Sequence, residues 1–127
     1  MITIDRSNFR NGPWDNEQDF LTWNYLSINC EIKRTKMGCL CGYIYIKNND
    51  CFPKSFENIF DVHGGITYDS YIEGDDIWKI GFDCHHYQDD CPALPYRLYS
   101  HYWTMQEVKD EVEKMVEQYL TFYELIK

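Results

Sequence analysis

The segment from Met105 to Leu125 does most to constrain the fold. Met105, Val108, Val112, Met115, Val116, Tyr119 and Tyr123 recur at helical spacing and put one apolar stripe along a helix. Thr104 followed three residues later by Glu107 is a capping-box pattern, so the helix is expected to start at Met105. Lys109 with Glu113, and Asp110 with Lys114, have the i,i+4 spacing of ion pairs on the wet face. A stripe this long must lie on something, and the rest of the chain offers strands. Cys39 to Ile46 alternates Leu40, Gly42, Ile44 and Ile46 against Cys41, Tyr43 and Tyr45. Ile77 to Cys84 sets Trp78, Ile80 and Phe82 on one face and Lys79, Gly81 and Asp83 on the other.

Val62 to Tyr68 is a further strand candidate, interrupted by Gly64-Gly65. The turn signal Glu73-Gly74-Asp75-Asp76 should join it to Ile77–Cys84 as an antiparallel hairpin. Lys47-Asn48-Asn49-Asp50 is a turn, and Phe56 to Phe60 fits either a helical turn or an irregular approach. Met1 to Pro13 is polar and expected to be a loose strand or arm. Asp15 or Asn16 is expected to cap a short helix to about Leu26, carrying Phe20, Leu21, Trp23 and Tyr25. The expected fold is α+β: a small antiparallel sheet packed by a long C-terminal helix, with a short N-terminal helix. Its 127 residues suit one domain.

The 12 basic and 21 acidic residues leave a net charge of −9. That field repels nucleic acid and anionic membranes, so direct binding of double-stranded DNA is not expected. The first residues have no basic or apolar run of a secretory signal, and no apolar stretch nears the roughly 20 residues of a membrane span. A cytoplasmic protein is expected. Its six cysteines then read as reduced, mostly buried thiols. Their spacings, Cys39-x-Cys41 and Cys84-x6-Cys91, lack the paired C-x2-C of a structural zinc site, so no metal or cofactor is expected.

Functional chemistry concentrates in two stretches. Three of the four histidines fall between residues 63 and 86. His63 precedes Gly64-Gly65, which let the backbone approach a ligand closely and expose amide N–H groups. Asp83 ends an apolar strand, and Cys84-His85-His86 leads into a polar turn, where a rigid scaffold meets solvent. If His63 lies on the neighbouring strand, it stands across from Asp83, and a carboxylate beside an imidazole orients its tautomer. His86 and Asp89 fall on one side of a helical turn. The candidate ligand-binding residues are therefore His63, Gly64, Gly65, Asp83, His86 and Asp89, with His63, Asp83 and His86 as catalytic candidates. Metal binding by His63, Asp83, His86 and Asp89 would use two imidazoles and two carboxylates, but no metalloenzyme motif accompanies them. Cys84 reads as a core thiol and His85 as a bystander. Tyr43, Tyr45, Tyr68, Tyr87 and Trp78 offer stacking surfaces, although strand tyrosines mostly pack.

The string His63-Gly64-Gly65-Ile66-Thr67-Tyr68, then Trp78-Lys79-Ile80-Gly81-Phe82-Asp83-Cys84, then His86 and Asp89 resembles a family of small, mostly uncharacterised phage and prophage proteins. Those carry a His-Gly-Gly-(Ile/Leu)-Thr-(Tyr/Phe) stretch and a Gly-Phe-Asp-Cys-x-His-x-x-Asp stretch, after a strand like Gly42-Tyr43-Ile44. The resemblance spans about Gly38 to Leu120. His85 and Asp90 fall outside it, and Lys79 stands where the family often has an aromatic. It implies a phage accessory role, plausibly against host defences, in the host cell cytoplasm. Three modes fit: sequestering a nucleotide-derived signal, degrading it as a small hydrolase or transferase, or acting as an acidic inhibitor of a defence complex through Glu107, Asp110, Glu111 and Glu113. Expected partners are a small-molecule or nucleotide ligand or a host defence protein, and a homo-oligomer is compatible with the sequence.

Overall fold

A computed structural model describes residues 4–47, 59–72 and 76–126, with side chains to 124. Five strands form one antiparallel sheet: β1 (Phe20–Tyr25), β2 (Ile28–Arg34), β3 (Leu40–Lys47), β4 (Tyr68–Ile72) and β5 (Ile77–Asp83), in the order β1-β2-β3-β5-β4. One long helix, α1 (Met105–Ile126), lies on one face. Alternation supplies that face. Cys30 and Ile32 of β2, Ile44 and Ile46 of β3, and Trp78, Ile80 and Phe82 of β5 are buried against Val108, Val112, Met115, Val116 and Tyr119 of the helix. The α+β fold is thus as the sequence implies. Among the described residues no helix is long and apolar enough to cross a membrane.

The helix start is also as read. The Glu107 amide donates to Thr104 Oγ1 (3.2 Å), and the Thr104 amide donates to Glu107 Oε1 (3.0 Å). The wet-face pairing differs. Lys114 pairs with Glu111 at 3.3 Å, Gln106 donates to Asp110, and Lys109 sits 5.7 Å over the Trp23 ring. Glu113 accepts from Trp23 Nε1 (3.0 Å), so it fastens β1 rather than pairing with Lys109.

The N-terminal helix is replaced by two other elements. Pro13–Asn16 forms one 3-10 turn, and the next residues are strand β1. Leu21, Trp23 and Tyr25 alternate, and all three pack on the core edge, a period of two that a helical reading smears. The β1–β2 turn is tight, with Leu26 (φ 51°) and Ser27 (φ 70°) both left-handed, a conformation more often given to Asn-Gly. β2 itself was not expected as a strand. From Ile4 to Gly12 the N-terminal arm is not strand, and it is firmly tied. Arg6 donates to the carbonyls of Trp14 and Glu17 (both 2.7 Å), and Arg10 donates to the Leu94 carbonyl (2.7 Å).

Val62 to Tyr68 is mostly not strand: a turn at His63-Gly64 precedes β4, which begins only at Tyr68. The β4–β5 pairing is antiparallel, as expected, from Tyr68↔Gly81 to Ile72↔Ile77. Residues 48–50, 56–58 and 73–75 of the expected turns lie outside the described residues. On the sheet face away from the helix, Lys79 Nζ pairs with Glu31 (3.0 Å) and lies 4.2, 5.3 and 5.4 Å over the rings of Tyr43, Tyr45 and Tyr68. These tyrosines therefore cage a lysine of the same chain, while Trp78 is core and Tyr87 is exposed.

Candidate functional site

β5 ends at Asp83, and the chain turns through residues 84–91 beside the loop that carries His63. Asp89 is the centre of this corner. Only 3% exposed, it receives His63 Nε2 at 2.9 and 2.8 Å from its two oxygens, and the His86 amide at 3.0 Å. A carboxylate only accepts, so Nε2 of His63 carries the proton. The His63 ring lies against Trp103, with centroids 4.2 Å apart and 31° between planes. Its amide donates to Glu111 of α1 (2.7 Å). The helix, the loop and the turn after β5 thus meet at one imidazole, which remains 22% exposed.

His86 stands beside it, ring centroids 5.4 Å apart. Its Nε2 is 3.1 Å from the Asp83 carbonyl and 3.3 Å from Asp83 Oδ1, and its side chain is 35% exposed. Asp83 also accepts from Thr67 Oγ1 (2.8 Å) and the His85 amide (3.0 Å). Burial pushes the Asp83 carboxyl up. The Thr67 and His85 hydrogen bonds and the nearby His86 and His85 rings outweigh that and hold it below its ordinary value. Donor atoms of His63, His86 and Asp89 all lie within 4.8 Å of one another.

His63, Asp83, His86 and Asp89 do meet at one corner, but in a different pairing from the one expected. His63 does not stand across β4–β5 from Asp83; it precedes β4 and pairs with Asp89, while Asp83 pairs with His86. The glycines also play another part. Gly64 has φ +70°, and a Cβ there would meet His86 Nε2 at 2.1 Å. It is the floor under the second imidazole. The Gly65 amide donates to the Val62 carbonyl (2.9 Å), so neither it nor the His63 amide is a free donor for a ligand. Trp103, Thr67 and Glu111 were not expected. Only Thr67 had a signal, as part of the His-Gly-Gly-Ile-Thr-Tyr string.

A second cluster lies across the same turn. Cys39, His85 and Cys91 offer donor atoms within 4.8 Å of one another, from the start of β3 and both ends of the turn. A hydrogen bond with Cys91 pulls the Cys39 thiol down; burial opposes it, and Thr35 and His85 add to the pull, leaving it at about 6. Burial pushes the Cys41 thiol up to about 11 and raises Cys84 further, as expected of a core thiol. All five described cysteines are free and buried. Sequence spacing could not show this cluster, because its three donors come from segments far apart in the chain.

A cleft lies beside the corner. Of about 220 Å³, it is lined by Tyr87, Gln88, Arg97, Leu98, Tyr99 and Ser100, at the outer side of the turn. No family model, no curated protein and no solved structure matches the chain.

Proposed function

We propose that the chain is a phage-type accessory protein that binds a small phosphate-bearing ligand, a nucleotide-derived signal, at His63, His86 and Asp89, and counters host defence by holding it. The supporting observation is the pairing of half-open His63 with both oxygens of nearly sealed Asp89, with a second imidazole alongside. The lining is acidic: Asp83, Asp89 and Glu111 surround two imidazoles, and the neighbouring amides of His63 and Gly65 are already taken. An anion alone would be repelled. A divalent cation held by two imidazoles and a carboxylate, a set that suits manganese or zinc, would bring the phosphate in. The observation that fits enzyme action instead is the Asp83–His86 pair, a second carboxylate-ordered imidazole that, free of metal, could take the proton of a water attacking a bound phosphate ester. The acidic-inhibitor reading has less support, because Glu107, Glu111 and Glu113 are engaged by Thr104, His63 and Trp23.

Calorimetry with cyclic and ADP-ribose-type nucleotides, with and without Mn²⁺, tests the reading. Binding that needs Mn²⁺ and weakens at least tenfold in His63→Ala and Asp89→Asn is expected. Silence across the panel in both conditions sinks it. Turnover of the bound nucleotide by the unaltered chain would make the protein an enzyme.

A further inference from the structure

We propose that Cys39, His85 and Cys91 form a zinc site, separate from the His63 site, with a fourth coordination position open to an outside donor. Zinc binds thiolate sulfur at about 2.3 Å and imidazole nitrogen at about 2.0 Å, so its tetrahedral ligands stand about 3.8 Å apart. The three donor atoms already lie within 4.8 Å of one another, about 1 Å or less from that spacing.

The two cysteine-bearing segments are locked together without the ion. The Ala93 amide donates to the Met37 carbonyl (2.9 Å). Gly38 (φ +96°) packs so closely that a Cβ would meet Pro92 Cγ at 2.6 Å. Arg10 reaches across, its amide donating to the Pro92 carbonyl (2.9 Å) and its guanidinium to the Cys91 carbonyl (3.1 Å). The outer contacts are those of a ligand shell as well. Thr35 Oγ1 lies 3.1 Å from Cys39 Sγ, and Asp83 Oδ1 accepts the His85 amide, fixing the backbone that carries the third ligand.

The charge balance suits burial. Two thiolates and a neutral imidazole cancel Zn²⁺, so the filled site carries no net charge into the interior. Cys39 and Cys91 are each 1% exposed, whereas His85 is exposed. Ligands therefore close the site from inside and leave the His85 side to solvent. Soft thiolates select zinc over the hard cations that oxygen ligands prefer, and three protein ligands with one open position are the pattern of zinc sites that meet a water or a substrate.

The test uses the full chain, stripped of metal and kept reduced. Titration with Co²⁺ should give one equivalent with a thiolate-to-cobalt charge-transfer band and tetrahedral visible bands. Cys39→Ser and Cys91→Ser should each abolish the charge-transfer band, and His85→Ala should weaken Co²⁺ binding at least tenfold. An ion at His63, His86 and Asp89 would show no thiolate band, so this outcome is independent of the function proposed above. X-ray absorption at the zinc edge of the loaded, unaltered chain should show two sulfur scatterers at about 2.3 Å; this arm decides if the serine variants do not fold. Absence of the thiolate band, a zinc shell without sulfur, or a Cys39–Cys91 disulfide in the freshly isolated chain would overturn the proposal.

Discussion

The two clusters share one turn and divide its residues. His86 and Asp89 turn toward His63, with Asp83 paired to His86, whereas His85 and Cys91 turn toward Cys39. One side gathers nitrogen and oxygen donors, half open, joined by hydrogen bonds among charged groups. The other gathers sulfur and one nitrogen, with the sulfurs sealed, and its framework is close backbone packing rather than charge. The difference shows that residue type within the turn does not decide what a side chain joins. The segment facing it does: the His63 loop on one side, the β2–β3 turn on the other.

The sharpest way to break this contrast is to remove the buried member of each side. Asp89→Ala strands the His63 N–H and the His86 amide and should cost about 3 kcal/mol of stability in denaturant titration. Cys91→Ala in the metal-free chain should cost only about 1 kcal/mol, the loss of a buried thiol whose neighbours stay packed. Equal losses would show that charge does not hold the one side any more than packing holds the other. A smaller effect separates the two glycines. Both have positive φ (70° and 78°), but only Gly64 is blocked, by His86; beside Gly65 a Cβ would meet nothing within 4 Å. Gly64→Ala should therefore cost about 2 kcal/mol and displace His86, and Gly65→Ala about 1 kcal/mol of backbone strain alone. Similar losses, with the His86 NMR signals unmoved in both, would remove His86 from that floor.

The smallest effect concerns Asp83. Its carboxyl titrates below the ordinary value in the folded chain, so its contribution is fully present above the unfolded value of about 3.9 and is lost as pH falls through the folded one. Thr67→Val should move the Asp83 carboxyl resonance to titrate higher in NMR, shifting that loss of stability to higher pH. An unchanged titration would mean that the Thr67 hydroxyl does not hold Asp83 down.

The elements legible in the sequence were those with a local rule. Thr104 and Glu107 mark the helix start by their own hydrogen bonds, and alternation marks β3 and β5. β1 and β2 escaped because Leu26-Ser27 is a poor turn signature, and because Glu31 and Lys33 break up the apolar run of β2. Chain proximity and the motif brought His63, Asp83, His86 and Asp89 to one corner. Their pairing was not legible, since it depends on where β4 begins. The nearness of His85 to Cys39 and Cys91 was hidden for a related reason: the Gly38–Pro92 contact makes them adjacent, and no spacing rule encodes it.

The ring contact between His63 and Trp103 has an optical consequence. An indole lying 4.2 Å from an imidazole is sensitive to any charge that arrives on that ring. Trp14 and Trp78 are buried and take no part in the corner. Trp103 thus makes the site self-reporting: its fluorescence should follow the filling of His63 without a label, and the ligand panel can be screened by emission before any calorimetry.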